Sequence, residues 1–170
     1  MGAVVDNTVL SNLAFVDRVD LLQALFGEVF VPVEVRQELL RGVEEGYTDL
    51  LRAGAQIGVG EDRWLRLRTL TTDAEEQLFR ELTQCLGFGE AACLAMAHQR
   101  GWLVLTDDAR ARREARRLHI PISGSIGLLV LSVERQLLSV DDANDLLRGM
   151  IAHRFRSPVE DLRELLDSST

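Results

Sequence analysis

The chain has 170 residues, enough for one domain with a buried core and too few to suggest a second. Its 46% apolar and 27% charged residues lie in the ordinary globular range and exclude a disordered composition. A net charge of −8 argues against a protein that coats DNA nonspecifically, and the absence of lysine removes Schiff-base chemistry, a P-loop lysine and any lysine general base.

Short apolar runs alternate with helical patterns. Strands are expected at residues 2–6, 28–32, 64–70, 102–106 and 119–123, which reads as an α/β fold with a mainly parallel sheet. In the first, VVDNTVLSNL, an apolar strand runs into Asp6 where an amphipathic helix begins. LLQALFG then ends at Gly27, and Pro32 opens the helix PVEVRQELLRGV, since proline is tolerated in a first helical turn. The glycine-rich RAGAQIGVGEDRW reads as a loop with room for a short helix. TTDAEEQLFRELTQCL is helical until GFGE breaks it, and the break positions Glu90 at the head of an alanine-rich helix, EAACLAMAHQ, suited to close packing on the sheet. From about 139 to 167, two amphipathic helices are expected, with Ser139 and Ser157 as N-caps. Residues 1–170 read as a single domain.

No leader-like segment and no apolar run of membrane-spanning length is evident, so a soluble, cytoplasmic protein is expected, with no membrane partner. Cys85 and Cys93 lack the count and spacing of a disulfide framework or a zinc site and are expected to be buried, reduced thiols.

The informative residues are acids. Val4 and Val5 run into Asp6, and Val104, Leu105 and Thr106 run into Asp107, so both acids end strands at the edge where open α/β sheets bind ligands. If those strands are neighbours, the acids meet. The competing reading is that each aspartate caps the next helix, but Asp108 can take that role after the second strand and leave Asp107 for another. Glu38 lies at the edge of an apolar stripe, where a solvated glutamate is the plain alternative. Glu90 shares a face with Leu94 and Ala97, and interaction with the helix dipole would also account for it. Four carboxylates at one sheet edge would repel one another, which raises their pKa values or calls for a cation. Oxygen ligands favour Mg²⁺ or Mn²⁺ over zinc, and His98, His119 and His153 are scattered.

At this point the chain resembles the PIN-domain family, in its VapC-like, DUF3368-type branch. VVDNTVLSNL, FVPVEVRQEL, GFGEAACLAMA, WLVLTDDARARREARRL and ISGSIGLLVLSVERQLLS resemble the family's segments in order and together cover nearly the whole chain. The resemblance implies a three-layer α/β/α fold with a central parallel sheet. It places Asp6, Glu38, Glu90 and Asp107 on metal-binding acidic positions, Thr8 on the polar position near the first acid and Ser125 on a Ser/Thr position. Asn7 departs mildly, where the family more often has a small or hydroxylated residue. The implied activity is a metal-dependent endoribonuclease, with a small antitoxin protein and a homodimer as the partners many relatives have.

The mechanism expected is phosphodiester hydrolysis in which carboxylate-bound Mg²⁺ or Mn²⁺ activates water, with the four acids as catalytic and metal-binding groups. Thr8 and Ser125 are candidate substrate-binding residues. Arg110 and Arg113, from the five arginines of ARARREARR, are candidate RNA phosphate contacts, against the plainer reading of a solvated helix partly paired with Glu114. Two other readings compete. A noncatalytic interaction protein would keep the fold and lose metal binding. A haloacid-dehalogenase-like phosphatase would use DNTVL as its nucleophile motif, although Thr8 stands where its second aspartate belongs and the lysine partner is missing.

Overall fold

A computed structural model of the chain describes residues 1–60 and 62–167. Its centre is a six-stranded sheet in which every pairing is parallel. The strands are β1 (Ala3–Val5), β2 (Val29–Pro32), β3 (Ile57–Gly58), β4 (Leu65–Arg68), β5 (Leu103–Leu105) and β6 (Ile122–Ser123), and their order across the sheet is β3-β4-β2-β1-β5-β6. Strands covered on both faces must be apolar throughout rather than alternating, and every residue of AVV in β1 and VFVP in β2 is buried. The LRLR pattern of β4 buries only Leu65 fully.

The chain leaves β1 in one direction, through β2 towards β3 and β4, and returns on its other side as β5. β1 is therefore the point where strand order reverses, and the crevice beyond its carboxyl end is where a ligand site is favoured. Register places Val5 opposite Leu105, and the Asp6 N–H continues the ladder to Leu105 O at 3.0 Å. The two strand-end acids are neighbours because their strands are.

Flanking helices carry the remaining groups: α1 (Asn7–Phe15), α2 (Asp20–Phe26), α3 (Val33–Glu44), α4 (Leu50–Gln56), α5 (Asp73–Leu82), α6 (Phe88–Arg100), α7 (Ala109–Arg117), α8 (Ser125–Glu134), α9 (Val140–Ala152) and α10 (Arg163–Leu166). Small side chains let α6 lie close against β1, β2 and β5, and its residues Ala91 to Ala97 are all buried. Pro32 is the last residue of β2 and the N-cap of α3. Gly27 ends α2 with φ 73°, a conformation glycine adopts without strain.

Four features differ from the sequence reading. The segment read mainly as a loop forms α4 and the two-residue β3, because Leu50 and Ala53 bury against neighbouring helices and tertiary packing overrides a weak periodicity. The strands expected at 64–70 and 119–123 shorten to β4 and β6, and His119 holds a left-handed turn at φ 56° just before the latter. Ser157 caps no helix. Its hydroxyl accepts from Val159 N–H and the helix is confined to the single turn of α10, because Asn144 captures the Leu162 N–H and the Asp161 carboxylate and pins the chain in an irregular course. Cys85 is exposed, and only Cys93 is a buried thiol.

Candidate active site

Asp6 sits at the junction of β1 and α1 and is both helix cap and buried acid. Its Oδ1 accepts from Thr8 N–H at 3.0 Å, Val9 N–H at 3.1 Å and Thr8 Oγ1 at 2.6 Å, while Oδ2 accepts from Thr106 Oγ1 at 2.5 Å. The side chain is only 1% exposed. Removing a carboxylate from water costs several kcal/mol, and the competition between that cost and four hydrogen bonds decides its charge. Burial wins: it pushes the Asp6 pKa up to about 7 with help from the Asp107 charge, against the lowering effect of the Thr106, Thr8 and Val9 donors.

Asp107, two residues past β5, does not cap α7. Asp108 takes that role by accepting from Ala111 N–H at 2.8 Å, so the doubled acid divides the two jobs. The Asp107 carboxylate is instead gripped by the first turn of α8 and by α1: Ser125 N–H donates to Oδ1 at 2.8 Å, and Ser125 Oγ and Asn12 Nδ2 donate to Oδ2 at 2.5 and 2.9 Å. Thr8 Oγ1 joins the two acids, donating to Asp6 and accepting from Asp107 N–H at 2.9 Å. Thr8 and Ser125, read from sequence as substrate-binding residues, thus have their hydroxyls turned to the carboxylates.

Glu38 and Glu90 come from α3 and α6 and face each other beside the first pair. Gly89 N–H donates to Glu38 Oε1 at 3.0 Å. A Cβ at Gly89 would lie 2.6 Å from Glu38 Oε2, and one at Gly87 would lie 2.6 Å from Glu90 Oε2. The glycines of GFGE therefore make room for two carboxylates as well as starting a helix. Burial raises the pKa of both glutamates. Glu34 raises Glu38 further while Gly89 N–H and Arg41 lower it, and the Glu38 and Asp108 charges raise Glu90.

Cys93 reports the same convergence from beneath. Its thiol reaches Val5 O at 3.5 Å, and burial, then the charges of Asp6, Glu38, Glu90 and Glu34, hold it well above its ordinary pKa. Asp6, Glu38, Glu90 and Glu34 thus all lie close enough for their charges to act on this one thiol.

Several participants carried no signal in the sequence. Asn12 and Thr106 look like ordinary helix and strand residues until Asp107 and Asp6 are placed against them. Glu34 precedes Glu38 by one helical turn, and its Oε2 is buried with no hydrogen-bond partner among the described residues. Gly124 is required because a Cβ there would strike Asp107 Oδ1 and lie 2.9 Å from Thr106 O. Arg112 donates to Thr106 O at 2.8 Å and, with Arg156, lines a cavity of about 320 Å³ that opens on Asp107. Arg110 and Arg113 line a separate shallow cleft with Cys85, Leu86 and Glu114, beside the segment leading to Gly87. α7 directs Arg112, rather than those two, at the Thr106 carbonyl beside Asp107.

The donor chemistry suits a hard divalent cation: oxygen ligands only, burial that raises three carboxyl pKa values with help from neighbouring charges, and an orphaned carboxylate oxygen on Glu34. Among the described residues no group of three or more acids, histidines or cysteines already stands in position to hold one ion. Hydroxyl and amide donors hold the Asp6 and Asp107 carboxylates in position.

A family model for DUF3368, a PIN domain, matches residues 2–170. No curated protein matches the chain.

Proposed function

The chain belongs to the PIN-domain family, whose members are generally nucleases, and from that premise we propose that it is a divalent-metal-dependent endoribonuclease that hydrolyses RNA phosphodiester bonds. One observation carries the reading: Asp6 and Asp107, at the carboxyl ends of adjacent parallel strands, are locked together through Thr8 and flanked by Glu38 and Glu90. Helix capping accounts for Asp6 alone, since Asp108 caps α7 in place of Asp107 and neither glutamate is a cap.

Mg²⁺ or Mn²⁺ held by Asp6, Asp107, Glu38 and Glu90 would supply activation of water and stabilisation of the leaving oxygen. The protein's own part is arrangement. Ser125, Asn12, Thr8 and Thr106 fix the rotamers of Asp6 and Asp107 so that little reorganisation is needed when RNA arrives. A cation held there would favour the ionised form of Asp6, whose proton would pass to solvent while the hydroxyl donors keep the carboxylate in place. Arg112 and Arg156 offer cations next to Asp107, where a phosphate group would otherwise be repelled by the acids. Arg110 and Arg113 extend that charge along the neighbouring cleft.

The test is incubation of labelled single-stranded RNA with the wild type and Asp6→Asn, with and without Mg²⁺ or Mn²⁺. Cleavage by the wild type that ceases in the variant and in excess chelator is the expected result. Cleavage that persists in either rejects the mechanism.

A second reading, a noncatalytic module that keeps the fold, is favoured by the absence of a ready-made three-acid group among the described residues. Calorimetric titration with Mn²⁺ separates the two, since a folded protein that binds no metal fits only the second. A toxin role opposed by a small antitoxin, a cytoplasmic location and a homodimer extend the first reading. Sedimentation of the purified chain reads the last of these. Among the described residues no helix is long and apolar enough to cross a membrane.

A further inference from the structure

A groove of about 560 Å³ begins at Asn7 and Glu38 and runs past Phe15 to Tyr47, His153 and Arg154. One end therefore belongs to the acid cluster. The other is built of rings. Phe15 stacks on His153 with centroids 4.9 Å apart and planes 8° from parallel, and Tyr47 meets Phe15 edge-on at 6.2 Å and 61°.

We propose that this groove is a nucleobase subsite, in which the exposed aromatic surface of Tyr47 and His153 stacks an unpaired base of single-stranded RNA beside the acid cluster. The inference rests on the ribonuclease reading for its substrate and goes beyond it in naming how the strand is held.

Both outer rings are fixed in place by local structure. Gly46, at φ 104°, turns the chain so that Tyr47 N–H donates to Gly42 O at 3.0 Å, and the ring is left 50% exposed. A tyrosine recruited only to cover the core would be buried. His153 forms the C-cap of α9 and donates Nδ1–H to Gly149 O at 2.9 Å, which leaves Nε2 as the nitrogen able to accept from a base amine. Arg41 lines the groove beside Glu38, Arg154 lines its far end, and neither is ion-paired among the described residues.

Aromatic rings interleaved with arginines are the composition of single-strand binding surfaces, where stacking tolerates any base and cations follow the backbone. A helical peptide would need a continuous apolar stripe, and here Asn7, Ser11, Arg41 and Glu45 interrupt it. A duplex keeps its bases paired and stacked, out of reach of such a groove. The volume lies within the roughly 300–1,000 Å³ typical of sites for small organic groups.

The test is anisotropy of a short fluorescent single-stranded RNA in chelator, where no cleavage occurs, with the wild type, Tyr47→Ala, Tyr47→Phe and His153→Ala. Tyr47→Ala should weaken binding by about tenfold. Tyr47→Phe should bind as the wild type, because a phenyl ring still stacks, and an RNA with abasic sites should not distinguish Tyr47→Ala from the wild type. Thermal melts of Tyr47→Ala should match the wild type. Wild-type affinity in both Tyr47→Ala and His153→Ala, or no RNA binding by the wild type, overturns the subsite. The ribonuclease reading fails separately: binding that depends on Tyr47, with no cleavage in Mg²⁺ or Mn²⁺, keeps the subsite and removes the catalysis. Cleavage that Tyr47→Ala leaves untouched, with binding unchanged, does the reverse.

Discussion

Gly89 holds Glu38 in two ways: its N–H donates to Glu38 Oε1 at 3.0 Å, and its missing side chain leaves the space the carboxylate fills, a Cβ there falling 2.6 Å from Oε2. Glu38 belongs to α3 and Gly89 to α6, so this contact sets two of the four acids against each other across separate helices.

Gly89→Ala should empty the site without unfolding the protein. The group struck is the far end of a flexible side chain, which can rotate away at little cost, and alanine is the better helix former by up to about 1 kcal/mol. The expected result is a melting temperature close to that of the wild type with Mn²⁺ affinity and RNA cleavage each reduced about tenfold or more. Normal metal binding in a folded Gly89→Ala protein would show that Glu38 is not needed where the glycine puts it.

The Asp107 carboxylate offers a graded test of positioning. Ser125→Ala removes a hydroxyl donor but leaves the Ser125 N–H, and a hydrogen bond to a charged group contributes roughly 1.5–3 kcal/mol. Cleavage should fall by about ten- to a hundredfold, with kcat carrying most of the change and RNA affinity little of it. Gly124→Ala should be worse and should also lower the melting temperature. Its Cβ meets the Thr106 carbonyl at 2.9 Å, a backbone atom that cannot turn aside, and overpacking of this kind costs about 1–3 kcal/mol.

Acidity supplies a third prediction. Burial pushes the Asp6 pKa from an unfolded value near 3.8 up to about 7, so between those pH values the folded, metal-free protein binds a proton that the unfolded chain has lost. The stability that this proton brings is complete below pH 3.8 and disappears as pH rises through about 7, a loss on the order of a few kcal/mol at most. Burial shifts Glu38 and Glu90 in the same direction. In chelator, the melting temperature of the wild type should fall from pH 5 to pH 8 relative to Asp6→Asn, which has no charge to bury. Mn²⁺ affinity should rise over the same interval as the metal displaces the proton. Parallel melting curves for the two proteins across that range would reject the shifted pKa.

The sheet and the four acids were legible in the sequence because each leaves a local mark. Apolar runs such as VVD and VLTDD announce parallel strands ending in carboxylates, and the doubled acid told Asp107 apart from the cap at Asp108. What the sequence hid is what depends on partners distant in the chain. Asn12 meets Asp107 across 95 positions and Thr106 meets Asp6 across 100, and neither residue type is unusual where it stands. Ser157 misled because a serine before a helical pattern is an ordinary cap signal, whereas Asn144 had already claimed the backbone that a helix there would need. The groove at Tyr47 was invisible for the same reason, its rings coming from α1, the turn after α3 and the end of α9.

The arginines of α7 provide the last prediction, because helix geometry divides a set that composition cannot. Arg112 donates to Thr106 O and borders the Asp107 cavity with Arg156, whereas Arg110 and Arg113 line the neighbouring cleft near Leu86. Removing an arginine that pairs with an RNA phosphate should reduce the salt dependence of binding by a slope of about 0.7 per charge on a single strand. Arg156→Ala is the cleanest probe of the cavity, being exposed, and should lower both affinity and the salt slope. Arg112→Ala should do the same and in addition slow cleavage at saturating RNA, since it also frees the Thr106 carbonyl next to both aspartates. The double variant Arg110→Ala with Arg113→Ala should weaken binding and leave saturated cleavage unchanged. Equal salt slopes in all of these proteins would place the RNA backbone on some other face and leave α7 as a solvated helix.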